Sequence, residues 1–282
     1  MDFIRLNPPQ GVGANSRATL VTEQLLGLSL HALVFKRGGG AFTDAHFSGI
    51  RARIDGKDVV NPISGAKLVD LNEYDGIATV ANHTALFFGD PTARTIRGQH
   101  LGDIDFSIYQ KPLELEWDIG AATTPTLECW AWVGVPKLQM GVDFKPIEAA
   151  HMRALVRTTI QTSAAVNRQA FGIGLGSSPG NRWRKAAFFH GGGLSKVELK
   201  KQSITKWDDV ASDTNTALQA YYGRTAQTNL YMLDRMMDGN SGEAETTVRD
   251  DGTVWNTQLA ITTSGAETIE VYSELYATLP NL

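Results

Sequence analysis

One cysteine, Cys129, stands in 282 residues, so the chain cannot form an internal disulfide. That excludes the small cystine-stapled folds and points to a reducing compartment or to a fold that needs no covalent staple. Cys129 lies in the apolar run Leu127–Val133 with no histidine near it in sequence. This is the setting of a buried small hydrophobe, not of an activated thiol. Long hydrophobic runs are missing as well: no stretch approaches the ~18 apolar residues of a membrane-spanning helix. Met1–Gln10 has neither the basic start nor the apolar run of a signal peptide, so a soluble protein that enters no secretory route by itself is expected. Positive charge is not in excess. The 26 Lys+Arg against 30 Asp+Glu leave a net charge of −4, which argues against a surface that coats nucleic acid.

Signatures of chemistry are absent or lack their context. His31, His46, His83, His100, His151 and His190 show no pair at the spacing of a readable zinc site, and they read as ordinary surface or core histidines. Gly176-Ser177-Ser178-Pro179-Gly180 matches G-x-S-x-G, but Pro179 and the strand-like run after it leave no helix to support a nucleophile. Gly172, Gly174 and Gly176 lack the lysine and the βαβ context of a phosphate loop. Asp103 with Asp105, and Glu114 with Glu116 and Asp118, alternate along strands; they read as polar sheet faces, with acid–base work or calcium binding as the other reading. Asp250-Asp251 reads as a turn, and the sequon Asn82-His83-Thr84 is expected to stay unmodified. Arg182, Arg184 and Lys185 around Trp183 offer phosphate contacts and base stacking, against the plainer reading of a half-buried strand with solvated basic ends. Trp117, Trp130 and Trp132 read as core or a subunit contact. No catalytic residue, cofactor-binding residue or metal ligand is assigned.

What the chain does contain is turns and repetition. Its 28 glycines punctuate many short alternating segments. Leu30 to Phe35 reads as a strand that runs into Gly38-Gly39-Gly40; an alternating strand around Ile50, Ala52 and Ile54 follows, then a helical run from Ala66 to Tyr74 and a strand at Thr84–Phe88. About 150 residues later the order returns: Trp183 to His190, Gly191-Gly192-Gly193, a strand around Val197 and Leu199, a helical run from Trp207 to Tyr222, and a strand from Asn229 to Met237. A long-period duplication of this kind decides the fold. Residues 1–17 read as an extended arm, and Ile147 to Arg157 has the spacing of a linker helix. Asp55-Gly56 marks a hairpin turn, and Ser64 is positioned to cap the first helix. The expectation is an all-β protein of two tandem eight-stranded jelly-roll β-sandwiches with short helical insertions. Residues 1–140 would form the first jelly roll with its arm, and 141–282 the second with its leading linker helix.

Three stretches carry a family resemblance: Ile50 to Lys57 (IRARIDGK); Val197-Glu198-Leu199 with Thr205-Lys206-Trp207-Asp208; and Tyr222-Gly223-Arg224 with the strand at Asn229–Leu233. They resemble the double jelly-roll major capsid proteins of tailless, membrane-containing icosahedral bacteriophages, the corticovirus type in particular. The likeness is fullest over residues 182–239. It implies a structural coat protein with no catalytic residues and no cofactor, although structural cations such as calcium occur in the lineage. It further implies homotrimers of nearly hexagonal outline that tile an icosahedral virion shell over an internal membrane. Neighbouring trimers, penton or vertex proteins and minor membrane proteins would be the partners, without direct nucleic-acid contact. The place would be the virion capsid, after assembly in the host cytoplasm. Two competing readings remain: a carbohydrate-binding or glycan-cleaving β-sandwich centred on Trp117 with Glu114 and Glu116, and a receptor-binding spike.

Overall fold

The computed structural model describes residues 1–172, 181–240, 244–248 and 251–282. The chain divides into two compact units, Met1–Ala154 with Tyr276–Pro280 and Leu282, and Leu155–Leu275 with Asn281. This differs from a division at 140/141: the loop and short helix after residue 140 stay with the first unit, and the last residues of the chain return to it.

The first unit contains β1 (Asp2–Arg5), β2 (Ser16–Thr22), β3 (Ser29–Gly40), β4 (Phe47–Ile54), β5 (Lys57–Ile63), β6 (His83–Phe87), β7 (Ile104–Asp105), β8 (Leu113–Ile119) and β9 (Thr123–Gly134). One sheet runs β1-β9-β3-β6 with the two-residue β7 on β3; the other runs β5-β4-β8-β2. The second unit contains β10 (Met152–Thr162), β11 (Val166–Phe171), β12 (Arg182–Phe189), β13 (Leu194–Lys201), β14 (Ile204–Ala211), β15 (Leu230–Asp234), β16 (Glu245–Thr246), β17 (Thr257–Thr263) and β18 (Glu267–Ala277). Its strands run β10-β18-β12-β15, with β16 on β12, and β14-β13-β17-β11. Adding nine to each strand number of the first unit reproduces the neighbour relations of the second, including the short extra strand. The internal repeat is therefore a repeat of whole topology: each unit is a sandwich of eight principal strands.

The helical insertions repeat too. Between β5 and β6 lies α1 (Gly65–Tyr74), and between β14 and β15 lies a helix, Ser212–Tyr221. The Ser64 side chain accepts from Lys67 N at 3.3 Å, which closes the first turn of α1 as its sequence position suggests. Asp55 and Gly56, at φ of 52° and 75°, form the left-handed pair that a tight β4–β5 hairpin requires. Gly39, at φ 92°, passes so close to β9 that a Cβ there would lie 2.2 Å from the Thr124 carbonyl.

Period-two patterning builds each core. Along β8, Leu113, Leu115, Trp117 and Ile119 are buried while Glu114, Glu116 and Asp118 face out. Phe35 from one sheet meets Phe47 and Trp117 from the other at ring distances of 5.4 and 5.5 Å. Each such side chain contributes roughly 1.5–3 kcal/mol of burial. In the second unit Trp207 Nε1 donates to the Tyr231 hydroxyl at 2.8 Å, and that hydroxyl donates to Val210 O at 2.9 Å, which ties β14 to β15 across its sandwich.

Four local expectations are corrected. Residues 2–5 are no free arm: β1 pairs with β9 in register Asp2↔Val133 to Arg5↔Trp130. The linker helix at Ile147–Arg157 shrinks to α4 (Pro146–Ala149), once α2 (Ile96–His100) and α3 (Phe106–Tyr109) are counted, and Met152–Thr162 is a strand beside β18. Its C-terminal half is rich in β-branched residues, and sheet pairing overrides a weak helical pattern. The helical run from Trp207 likewise begins as β14, paired with β13; the helix that follows, α5, starts only at Ser212. Asp103–Tyr109 forms two residues of strand followed by α3.

Candidate functional site

A set of charged and imidazole side chains is buried in the first unit, around the start of β3. The Thr95 hydroxyl accepts from Gly98 N at 3.0 Å and starts α2, which ends at His100. Gly102 follows in a place where a Cβ would lie 2.2 Å from the Phe88 carbonyl, so the chain turns tightly and delivers Asp103 beneath β3. There His31 Nδ1 lies 3.0 Å from Asp103 Oδ1, and His100 Nδ1 lies 2.8 Å from Asp103 Oδ2. Asp105 accepts from Ser107 N at 3.0 Å at the start of α3, and from Lys137 N at 2.8 Å. Lys137 turns its ammonium inward, donating to Leu101 O at 2.9 Å and His151 O at 2.5 Å. Complete burial pulls its pKa down to about 8, against the pull of the Asp103 and Asp105 charges.

The outer face of the β1-β9-β3-β6 sheet carries aromatic rings. Phe3 stacks on Trp130 at 5.3 Å, with Arg5 over the same indole at 5.8 Å. Trp132 is 37% exposed and meets the edge of His31 at 4.9 Å. Val135, Leu138, Ile147 and Ile96 are each more than half exposed, and Arg97 of α2 pairs with Glu148 of α4. In the second unit Tyr221 and Tyr222 stand out at the end of α5, 86% and 52% exposed.

The residues singled out from sequence fall as follows. Two of the three carboxylates of β8 are answered by guanidinium groups: Arg17 lies 2.8 Å from Asp118 and Arg53 lies 3.1 Å from Glu116. Trp117 is fully buried on the opposite face, which removes the glycan platform it would have made with Glu114 and Glu116. Asp103 and Asp105 are not a solvated sheet face but buried groups. Trp183, Arg184 and Lys185 are buried as well; Arg184 Nη1 and Lys185 Nζ lie 3.0 and 3.4 Å from the Glu274 carboxylate, so no base can stack on Trp183. Cys129 is buried, and burial drives its thiol pKa far up. Asn82 lies in the loop before β6 at φ 61°. The G-x-S-x-G run, Gly174, Gly176 and Asp250 lie outside the described residues. His31, His100 and Lys137 went unmarked in the sequence, because nothing in their spacing shows that they meet. Among the described residues no helix is long and apolar enough to cross a membrane.

Two tandem eight-stranded sandwiches of one topology define a double jelly-roll capsid subunit. The chain belongs to the viral coat protein P2 family: the family's N-terminal domain matches residues 3–134 and its C-terminal domain residues 152–279. It is accordingly a structural capsid protein of the virion and not an enzyme. Among solved structures it is similar to the major capsid protein P2 from bacteriophage PM2 (TM-score 0.82, 17% identity, covering 98% of this chain and 97% of that one). It is also similar to the Sulfolobus turreted icosahedral virus structure (TM-score 0.65, 10% identity, covering 99% and 91%) and to the PBCV-1 virus capsid (0.61, 10%, covering 98% and 92%). No curated protein sequence matches the chain.

Proposed function

We propose that this coat protein assembles as a homotrimer of nearly hexagonal outline, and that such trimers tile an icosahedral shell over an internal membrane. The carrying observation is the repeated strand order: three copies present six modules of one topology, and a closed ring satisfies its own interfaces. The exposed rings of the first unit and the tyrosines at the end of α5 are the surfaces such contacts would cover. Neighbouring trimers, vertex proteins and minor membrane proteins are the expected partners. The net charge of −4 suits a shell that a bilayer separates from nucleic acid, and the single buried thiol suits assembly in the reducing host cytoplasm. The test is solution mass by light scattering, followed by electron microscopy at rising concentration. A particle of three times 30.6 kDa that grows into ordered arrays supports the reading. A chain that stays monomeric at every concentration overturns it.

A further inference from the structure

Three ligand-type side chains converge in the first unit in a way that the coat role does not require. His31, His100 and Asp103 each offer one ligand atom, these atoms all lie within 4.8 Å of one another, and all three residues are buried. Both imidazoles present Nδ1 to the same carboxylate, at 3.0 Å from one oxygen and 2.8 Å from the other. Donors at about 2.0–2.2 Å from one tetrahedral ion lie roughly 3.3–3.6 Å apart, so the three ligand atoms, all within 4.8 Å of one another, need only small shifts to share one. Gly89 approaches so closely that a Cβ would fall 2.1 Å from the His31 ring and 2.5 Å from Asp103 Oδ1.

We propose that His31, His100 and Asp103 bind one divalent transition-metal ion, which pins the segment from Gly89 to Asp103 onto β3. Two imidazoles and one carboxylate select zinc or a neighbouring first-row ion over calcium or magnesium, which prefer all-oxygen shells. The site is buried and closed, so its role is structural: it fastens the segment that carries the exposed Ile96 and the Arg97–Glu148 pair.

The experiment uses the full chain without an affinity tag, stripped with chelator and then given zinc, cobalt or calcium. Expected are uptake of one zinc per chain, a raised thermal midpoint with zinc but not with calcium, and a cobalt spectrum typical of nitrogen and oxygen ligation. X-ray absorption of the zinc form should count two imidazole nitrogens at about 2.0–2.1 Å. Asp103→Asn and His100→Gln should lose the uptake at least tenfold. If either variant fails to fold, the absorption spectrum of the unmodified chain decides. A folded chain that takes up no stoichiometric zinc, or zinc uptake unchanged in both variants, overturns the proposal. So does an imidazole count other than two. In those cases the three groups form a hydrogen-bonded triad only.

Discussion

Phe3 lies flat against Trp130, ring centroids 5.3 Å apart and planes 4° from parallel. The contact fastens an edge strand whose backbone pairs with β9 from Asp2↔Val133 to Arg5↔Trp130. Phe3→Ala removes a stacked pair worth about 1 kcal/mol. Amide exchange in β9 should accelerate several-fold within residues 130–133, which pair with β1, and stay unchanged over residues 123–128, where β9 pairs with β3 and not with β1. Uniform acceleration along β9 would refute this account of the strand.

Lys137 gives the first unit a dependence on alkaline pH. Its folded-state pKa of about 8 lies below the ordinary 10.5, so between these values the unfolded chain holds the proton that the folded one has lost. Stability is therefore undiminished by this group above pH 10.5 and falls progressively between pH 10.5 and 8, a swing on the order of 3 kcal/mol. Urea midpoints measured from pH 7.5 to 10 should rise for the unmodified chain relative to Lys137→Met. Parallel curves would show that burial does not depress the pKa of this amine.

Glu274 on β18 faces two buried cations, Arg184 at 3.0 Å and Lys185 at 3.4 Å. Neutralising it in Glu274→Gln removes a buried counter-charge that both cations share. A loss of about 3–5 kcal/mol in denaturant unfolding of the second unit is expected. A change below about 1 kcal/mol would mean that the pair contributes little, as exposed pairs do.

Cys129 should be silent toward thiol reagents in the folded chain. Burial favours its protonated form strongly and bars access. Titration with a disulfide reagent should yield no reaction in buffer and one thiol per chain in denaturant. Rapid native reaction would place the side chain at the surface.

Some features were legible because they are local. The alternation from Leu113 to Ile119, the left-handed Asp55-Gly56 turn and the Ser64 cap each depend on a few neighbouring residues, and each appears where the pattern places it. The glycine triplets marked the repeat for the same reason: Gly39 is needed where the backbone touches β9. Ile147 to Arg157 misled because its apolar spacing suits a helix, and only pairing with β18 turns the part from Met152 onward into strand.

The candidate metal cluster shows the other side. His31 and Asp103 are 72 residues apart, and no spacing rule connects them. Sequence alone determined that this protein is a β-rich duplication with two apolar interiors, since side-chain alternation and turn conformations act over a few residues. Only the tertiary structure decided that β1 closes a sheet edge, that Arg184 and Lys185 face inward, and that two distant histidines share one carboxylate. Those outcomes follow from which strands pair and which faces are buried, and a cost summed over the whole chain settles both.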